Sequence, residues 1–182
     1  MKNNVLFTLL FTAISLLFMT NLSIAQSVDR ELGLRMAGLD NFNFIYKKQT
    51  SENKFLRFRA GAFNVNFNSN SEAISANVNL AIGLEKRKPI DDRLLFIHGF
   101  EPSIQVGFSE VNGNTQILTG LSIGYVLGFH LNINESFGLN IETIPSLSGT
   151  TAFNENNDDI TNLRLGFNSN AIALSAVYRF NK

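Results

Sequence analysis

A chain of 182 residues with a formal net charge of zero suits a single domain and gives no electrostatic reason to expect a nucleic-acid partner. The absence of cysteine excludes disulfides, thiolate catalysis, cysteine metal sites and lipid attachment at an N-terminal cysteine. Charged residues make up only 16% of the chain, against roughly a quarter in soluble domains. The protein therefore does not have the charged surface that is typical of a soluble domain.

Residues 1–25 have the features of a cleaved signal peptide. A short cationic start at Lys2 precedes an almost wholly apolar stretch at 5–19, and Ser23 and Ala25 supply the small residues that signal peptidase reads. A retained membrane anchor is the alternative, but the apolar run is shorter than the roughly 20 residues of a spanning helix. We therefore predict cleavage after Ala25, which leaves residues 26–182 as the mature domain.

Past residue 25, apolar residues recur at every second position, which is the period of a β-strand and not of a helix. The first half of the chain predicts a bulge near Ala62, where the apolar phase slips by one residue. The cationic run of Lys86, Arg87 and Lys88 is assigned to a solvated turn. The predicted strands of this half are 31–37, 42–48, 56–67 and 74–85, and the predicted turns are 38–41, 49–54, 68–71 and 86–93.

The second half contains the longest predicted strand, 120–133, in which seven apolar side chains alternate with glycine and small polar residues. A strand at 103–108 precedes it, with a less regular start at 98–102 and a tight turn at 112–114. A strand at 139–143 follows. The stretch 148–159 is polar and rich in asparagine, and we predict that it is the longest loop of the chain.

Two places decide the number of strands, because a barrel with both ends in the periplasm needs an even count. If 38–41 is a turn and 160–180 is one strand bulged at 168–171, the total is eight and the 148–159 loop lies outside the cell. An unbroken first strand with a hairpin at 168–170 also gives eight strands. It is less favoured because it puts the long loop in the periplasm.

An eight-stranded barrel is only just wide enough for side chains to fill its interior. The faces opposite the apolar stripes carry charges of both signs, which predicts a lumen plugged by salt bridges instead of a water-filled pore. The predicted inward-facing charges are Arg35, Arg57, Arg59, Glu85, Glu101, Glu142, Arg164 and Arg179.

The last strand, 171–180, has one wholly apolar face that ends in Tyr178 and Phe180. Together with the signal peptide, the alternating strands and the stretch 31–35, this end resembles the small outer-membrane β-barrels of the OmpA/OmpX-like kind. The resemblance implies an all-β fold, an eight-stranded antiparallel up-and-down transmembrane barrel in the cell outer membrane of a Gram-negative bacterium. It also implies contact with outer-membrane lipid, and with the barrel-assembly machinery through the terminal strand, by a protein that is expected to be a monomer.

The sequence offers few candidates for a chemical site, and we predict no catalytic, cofactor-binding or metal-binding residues. His98 and His130 are the only histidines, and each could serve as a base beside Ser103 or Ser122, as in barrels that modify lipid A. Packed or hydrogen-bonded histidines are the favoured interpretation. The acidic stretch 155–159 could bind a cation through oxygen ligands, but a solvated loop explains it as well.

Three classes of function remain open at this stage. The favoured class is a non-enzymatic outer-membrane barrel with a structural or surface-interaction role. The alternatives are a lipid A-modifying enzyme and a soluble lipocalin-like binder of an apolar ligand, with porin-like conduction as a minor possibility. A lipocalin would turn the stripe from Leu121 to Ile133 inward and expose the opposite face, which is made of glycine, serine and asparagine and is poor material for a solvated exterior.

Overall fold

The computed structural model describes residues 29–38, 42–68, 73–111, 114–154, 157–166 and 172–180. The predicted signal peptide lies outside these residues. The described chain is all-β, with the ten strand segments β1 Arg30–Met36, β2 Phe42–Ser51, β3 Lys54–Asn68, β4 Ala73–Pro89, β5 Leu94–Val111, β6 Asn114–Asn132, β7 Phe137–Thr143, β8 Ser146–Asn154, β9 Asn157–Gly166 and β10 Ile172–Phe180.

The segments form one closed antiparallel barrel of eight strands, as predicted. Each segment from β1 to β6 pairs with its neighbour in the chain, and β1 closes the barrel by pairing with β10. β7 and β8 pair with β6 in one continuous register, because Leu127 lies opposite Thr143 and Gly124 lies opposite Ser146. They are therefore one strand, interrupted at Pro145, which has no N–H to donate to the ladder.

β9 and β10 form the eighth strand in the same way. Gly166 lies opposite Ser146, and Ile172 lies opposite Thr143, so the chain has five residues between these two positions on one side and two, 144 and 145, on the other. Such an insertion of three residues reverses the alternation of faces. The bulge predicted at 168–171 lies outside the described residues, but the flanking registers require extra residues there.

The predicted break between the first two strands is confirmed, since β1 and β2 pair as an antiparallel hairpin; residues 39–41 of the predicted turn lie outside the described residues. Gly38 has a φ of 97°, a conformation that glycine adopts without strain. The predicted bulge near Ala62 is also confirmed, because the register of β3 and β4 shifts between Gly61 and Asn64. The alternative with an unbroken first strand and a hairpin at 168–170 is thereby excluded.

The prediction of a long loop at 148–159 is wrong. These residues belong to the β8–β9 hairpin, whose strands pair from Ser146 opposite Gly166 to Asn154 opposite Asn157. The alternation of apolar and polar residues is weak here, since Gly149 and Thr151 separate Leu147 from Phe153 on the outward face. Pairing of β8 with β6 forms the strand all the same, through contacts distant in sequence.

Outward-facing side chains form an apolar belt around the barrel. On β6 the belt runs from Leu121 to Leu131, which matches the roughly 9–11 residues that a tilted strand needs to cross a bilayer. Its exposed members include Leu32, Leu34, Phe44, Ile82, Leu84, Phe100, Ile104, Leu121, Ile123, Phe129, Leu139, Ile141 and Leu174. Among the described residues, no helix is long and apolar enough to span a membrane.

The two ends of the barrel differ. β1 begins and β10 ends at the same end as the turns 90–93 and 133–136, and Phe137, Tyr178 and Phe180 form a cluster of rings there. The tips of the hairpins β5–β6 and β8–β9 lie at the opposite end. This agrees with the prediction that 148–159 lies opposite the first and last residues of the barrel, although which end faces the cell exterior stays a prediction.

Candidate functional site

The lumen of the barrel contains a connected ion-pair network instead of an apolar core. Among the described residues, six cationic side chains and four carboxylates take part, an excess of two positive charges. We call this set the lumen network; its members are Glu31, Arg35, Lys47, Arg57, Arg59, Glu85, Arg87, Glu101, Glu142 and Arg179. All lie at inward positions, where strand alternation turns them away from the apolar belt.

Arg57 on β3 is the centre of this network. Its guanidinium contacts carboxylates from three other strands: Glu85 at 3.1 Å, Glu101 at 2.7 Å and Glu142 at 3.0 Å. The side chain is wholly buried. The planar guanidinium presents five N–H donors in a fixed fork, which suits it to bind several carboxylates at once. Arg57 thereby links β3 to β4, β5 and β7 across the lumen.

A second group lies towards the end where β1 begins. Arg87 donates two hydrogen bonds to Glu31, at 2.8 and 2.6 Å, and a third from its Nε to Glu85 at 2.8 Å. Arg179 donates to the same Glu31 at 3.0 Å, and Lys47 lies 2.7 Å from Glu85. Glu85 therefore joins this group to Arg57, and the lumen network is continuous.

The other end of the network is held by two arginines. Arg35 on β1 pairs with Glu142 at 2.6 Å, while Arg59 on β3 pairs with Glu101 at 2.8 Å. Arg59 also donates to the side-chain oxygens of Asn43 and Asn79, each at 3.2 Å. These hydrogen bonds satisfy donors that would otherwise be left unpaired in a narrow lumen.

Two glycines make room for the network. A Cβ at Gly83 would lie 2.6 Å from the carbonyl oxygen of Phe100 and 3.1 Å from Cγ of Arg57. A Cβ at Gly128 would clash with the carbonyl oxygen of Ile141 and lie 2.8 Å from Cα of Glu142. The small residues that alternate with the apolar stripes thus allow large charged side chains to cross the lumen.

The predicted inward positions of Arg35, Arg57, Arg59, Glu85, Glu101, Glu142 and Arg179 are confirmed. The side chain of Arg164 lies outside the described part of the structure. The sequence prediction did not include Glu31, Lys47 and Arg87, all of which are buried.

The assignment of Lys86, Arg87 and Lys88 to a solvated turn is wrong, because β4 continues through all three to Pro89. Lys86 and Lys88 are exposed, but Arg87 points into the lumen, where its guanidinium also covers the ring of Phe55 at 3.8 Å. The signal that could have identified Arg87 is its parity with Glu85, since residues two apart share a face of a strand.

The candidate catalytic histidines, His98 and His130, do not contact the candidate serines, Ser103 and Ser122. The Ser103 and Ser122 hydroxyls hydrogen-bond each other at 2.6 Å, and His98 pairs with the hydroxyl of Tyr125 at 3.0 Å on the outward side. His130 is buried in the lumen, where it contacts Asn140 and lies 2.9 Å from Asn132. On β6 it is about 26 Å from Ser122, at about 3.3 Å per residue.

The carboxylates are likewise engaged, because each of Glu31, Glu85, Glu101 and Glu142 contacts at least two cationic side chains. Within the described ranges, no group of three or more His, Asp or Glu side chains is placed to hold a metal ion. The predicted oxygen-ligand cluster at 155–159 lies outside the side chains that the structure describes.

Comparison with known proteins gives similarity at the level of fold. No family model and no curated protein matches the chain. A major outer membrane protein from Thermus thermophilus aligns with a TM-score of 0.52 and 7% identity, over 85% of this chain and 100% of the other. That likeness shows the barrel fold and confirms the expected resemblance to small outer-membrane β-barrels.

Two further solved structures are similar to the chain. Ail, the attachment invasion locus protein of Yersinia pestis, has a TM-score of 0.49 and 12% identity, over 85% of this chain and 95% of the other. The N-terminal β-barrel domain of Pseudomonas aeruginosa OprF has a TM-score of 0.48 and 11% identity, over 85% of this chain and 97% of the other.

Proposed function

We propose that this protein is a non-enzymatic integral outer-membrane barrel with a structural or surface-interaction role and a lumen closed by its own side chains. The observation that carries the proposal is an inversion of polarity relative to a soluble protein: the exposed faces of the strands are apolar and the buried faces are charged. Leu84 on the outward face of β4 is 61% exposed, whereas its neighbour Glu85 is 1% exposed and ion-paired. Such an exterior is stable in hydrocarbon, while the ionic interior is held together by its own pairs.

The same inversion argues against a soluble lipocalin-like binder. Leu121, Ile123 and Phe129 on the longest strand are all exposed, and an apolar ligand would find charged groups in the lumen. A contiguous apolar surface of this extent is a liability in water and the expected exterior in a bilayer.

Conduction is disfavoured by the lumen network. Arg57 reaches carboxylates on three strands, and the pairs continue on both sides of it from Arg59 to Arg179. An ion passing through would have to break several buried pairs, each of which costs several kilocalories per mole when one partner is removed.

A surface-interaction role is supported by the unequal strand lengths. β5 and β6 have 18 and 19 residues, more than the roughly 9–11 that a bilayer crossing needs, whereas β1 has seven. The extra length extends the β5–β6 hairpin away from the end where β1 begins. Beyond Leu121, the outward face of β6 carries Thr119, the exposed Ile117 and Thr115, and is therefore more polar than the belt.

The proposal is tested by fractionation of a Gram-negative host that expresses the full chain. We expect the protein in the outer-membrane fraction, with faster gel migration before boiling than after it, because the folded barrel resists detergent. Recovery in the soluble periplasmic fraction would contradict the proposal. Lipid A from the same cells should have an unchanged mass spectrum, and a change abolished by His130→Ala would support the enzymatic alternative instead.

A further inference from the structure

The outer wall of the barrel contains an apolar groove of about 440 Å³ within the belt, on strands β1 to β5. Ala60 explains why the surface is hollow there, because it lies between Phe44 and Leu80 in the register of three neighbouring strands. Tyr46 and Phe58 are among the side chains that line it. A groove of this size and composition falls within the range of small-molecule sites, and here its surroundings are hydrocarbon.

Below the groove, towards the end where β1 begins, the same wall becomes cationic. Arg30 lies directly opposite Lys48, and Lys54 lies directly opposite Lys86. Lys48 follows Tyr46 by two residues and Lys86 follows Ile82 by four, so the cations lie about 7 and about 13 Å along the strands from the groove. We call Arg30, Lys48, Lys54 and Lys86 the cationic patch.

The cationic patch is not neutralised by the protein. Among the described residues, none of its four members forms an ion pair with a carboxylate, in contrast to the lumen arginines. Like charges directly opposite each other in a sheet destabilise it, so the arrangement favours an anion outside the chain.

Among the described residues, the patch lies on one wall of the barrel, formed by β1 to β4. At the same end of the barrel, the outward positions of β7 and β10 hold Phe137, Tyr178 and Phe180. Aromatic rings and lysines both anchor a barrel at the membrane interface. Anchoring alone therefore does not explain why the lysines lie on one wall and the aromatic rings on another. The asymmetry places the cations directly below the groove.

We propose that this wall holds a phosphate-bearing anionic phospholipid, with one acyl chain in the groove and the phosphate on the cationic patch. The proposal rests on the membrane insertion proposed above and adds a specific lipid partner. Lysine ammonium groups bind phosphate as point charges without a fixed geometry, which suits a mobile headgroup. Leu84 lies between the groove and the cationic patch, at the level of the lipid's glycerol and the first methylenes of its acyl chain.

A single-tryptophan experiment tests the site, because the native chain contains no tryptophan. Leu84→Trp puts a reporter between the groove and the patch, and Leu139→Trp is a matched belt position on β7. Each variant is refolded into phosphatidylcholine bilayers that contain a small fraction of brominated phosphatidylglycerol or brominated phosphatidylcholine. In the Leu84→Trp variant we expect quenching to favour phosphatidylglycerol about fivefold or more, since each basic residue near a membrane surface contributes about that factor.

The Leu84→Trp variant with Lys54→Gln and Lys86→Gln should lose most of that preference, while the Leu139→Trp control should show none. Equal quenching by the two lipids in the Leu84→Trp variant would overturn the proposal, as would a preference of the same size in the Leu139→Trp control. A preference that survives both lysine substitutions would also overturn it. Failure of either lipid to quench either reporter would contradict membrane insertion itself, which separates the two proposals.

Discussion

Glu31 on β1 and Arg179 on β10 lie directly opposite each other where the first and last strands meet, and their side chains pair in the lumen at 3.0 Å. The same carboxylate accepts two hydrogen bonds from Arg87 of β4. Glu31 thus connects the β1–β10 pair that closes the barrel to the ion pairs of the lumen. Because Glu31 pairs with two cations and Arg179 with one carboxylate, we expect the loss of Glu31 to cost more than the loss of Arg179.

We predict that Glu31→Gln lowers the free energy of unfolding by about 3 kcal/mol, since Arg179 loses its carboxylate partner and buried Arg87 loses two of its three carboxylate hydrogen bonds. Arg179→Gln should cost only about 1 kcal/mol, because its side chain is 21% exposed and Glu31 keeps Arg87. Urea unfolding of the two variants in lipid vesicles measures the difference. Equal losses would contradict the role of Glu31 as the shared partner.

Arg57→Met should be among the most damaging changes in the lumen, with a loss of about 3–5 kcal/mol. It removes the guanidinium that contacts Glu85, Glu101 and Glu142, and the cost is the desolvation of carboxylates that lose a partner. The double variant with Glu142→Gln should recover part of that loss, because one of the carboxylates is then neutral. A double-mutant cycle in which the two losses simply add would show that the pair is not coupled.

Leu127 tests the outward face at mid-belt. Leu127→Arg should lower the free energy of unfolding in a bilayer by about 2–4 kcal/mol, the cost of a cation near the midplane. Thr115→Arg is the matched control, because it lies on the same face of β6 but beyond the belt, where the cost should be about 0–1 kcal/mol. Similar effects at the two positions would mean that the apolar stripe does not face lipid.

Phe180 tests the proposed contact with the barrel-assembly machinery. Its ring packs against Tyr178, which in turn packs against Phe137, at the end of the closing strand. We expect Phe180→Ala to reduce the folded protein in the outer membrane severalfold while export across the inner membrane continues. Phe42→Ala removes an exposed ring at the other end of the belt and should assemble normally. Normal assembly of Phe180→Ala would remove the basis for the proposed contact.

The period of two in the sequence predicted most of the barrel because lipid on one side and charges on the other impose opposite demands on alternate residues. Leu84 and Glu85 show this directly, since each is assigned to its observed face by parity alone. The same rule placed Arg57 and Glu142 in the lumen. Their pairing could not be predicted, because the two residues lie 85 positions apart and only the register of the intervening strands brings them together.

The strand prediction failed where the two faces of a strand have similar polarity. At 86–88 both faces are cationic, so the burial of Arg87 was hidden by its exposed neighbours Lys86 and Lys88. At 148–159 polar residues lie on both faces, and the strand depends on pairing with β6, which local composition does not reveal. Hydrophobic contrast, not strand propensity, was the signal that the sequence carried.

The electrical conductance of the refolded protein in a planar lipid bilayer tests whether the membrane barrel is closed by its own ion pairs. Insertion is verified first by heat-modifiable migration of the same preparation. We expect the inserted barrel to be electrically silent, because Arg57 and its carboxylates cross the lumen. A steady conductance that scales with the amount of inserted protein would contradict it.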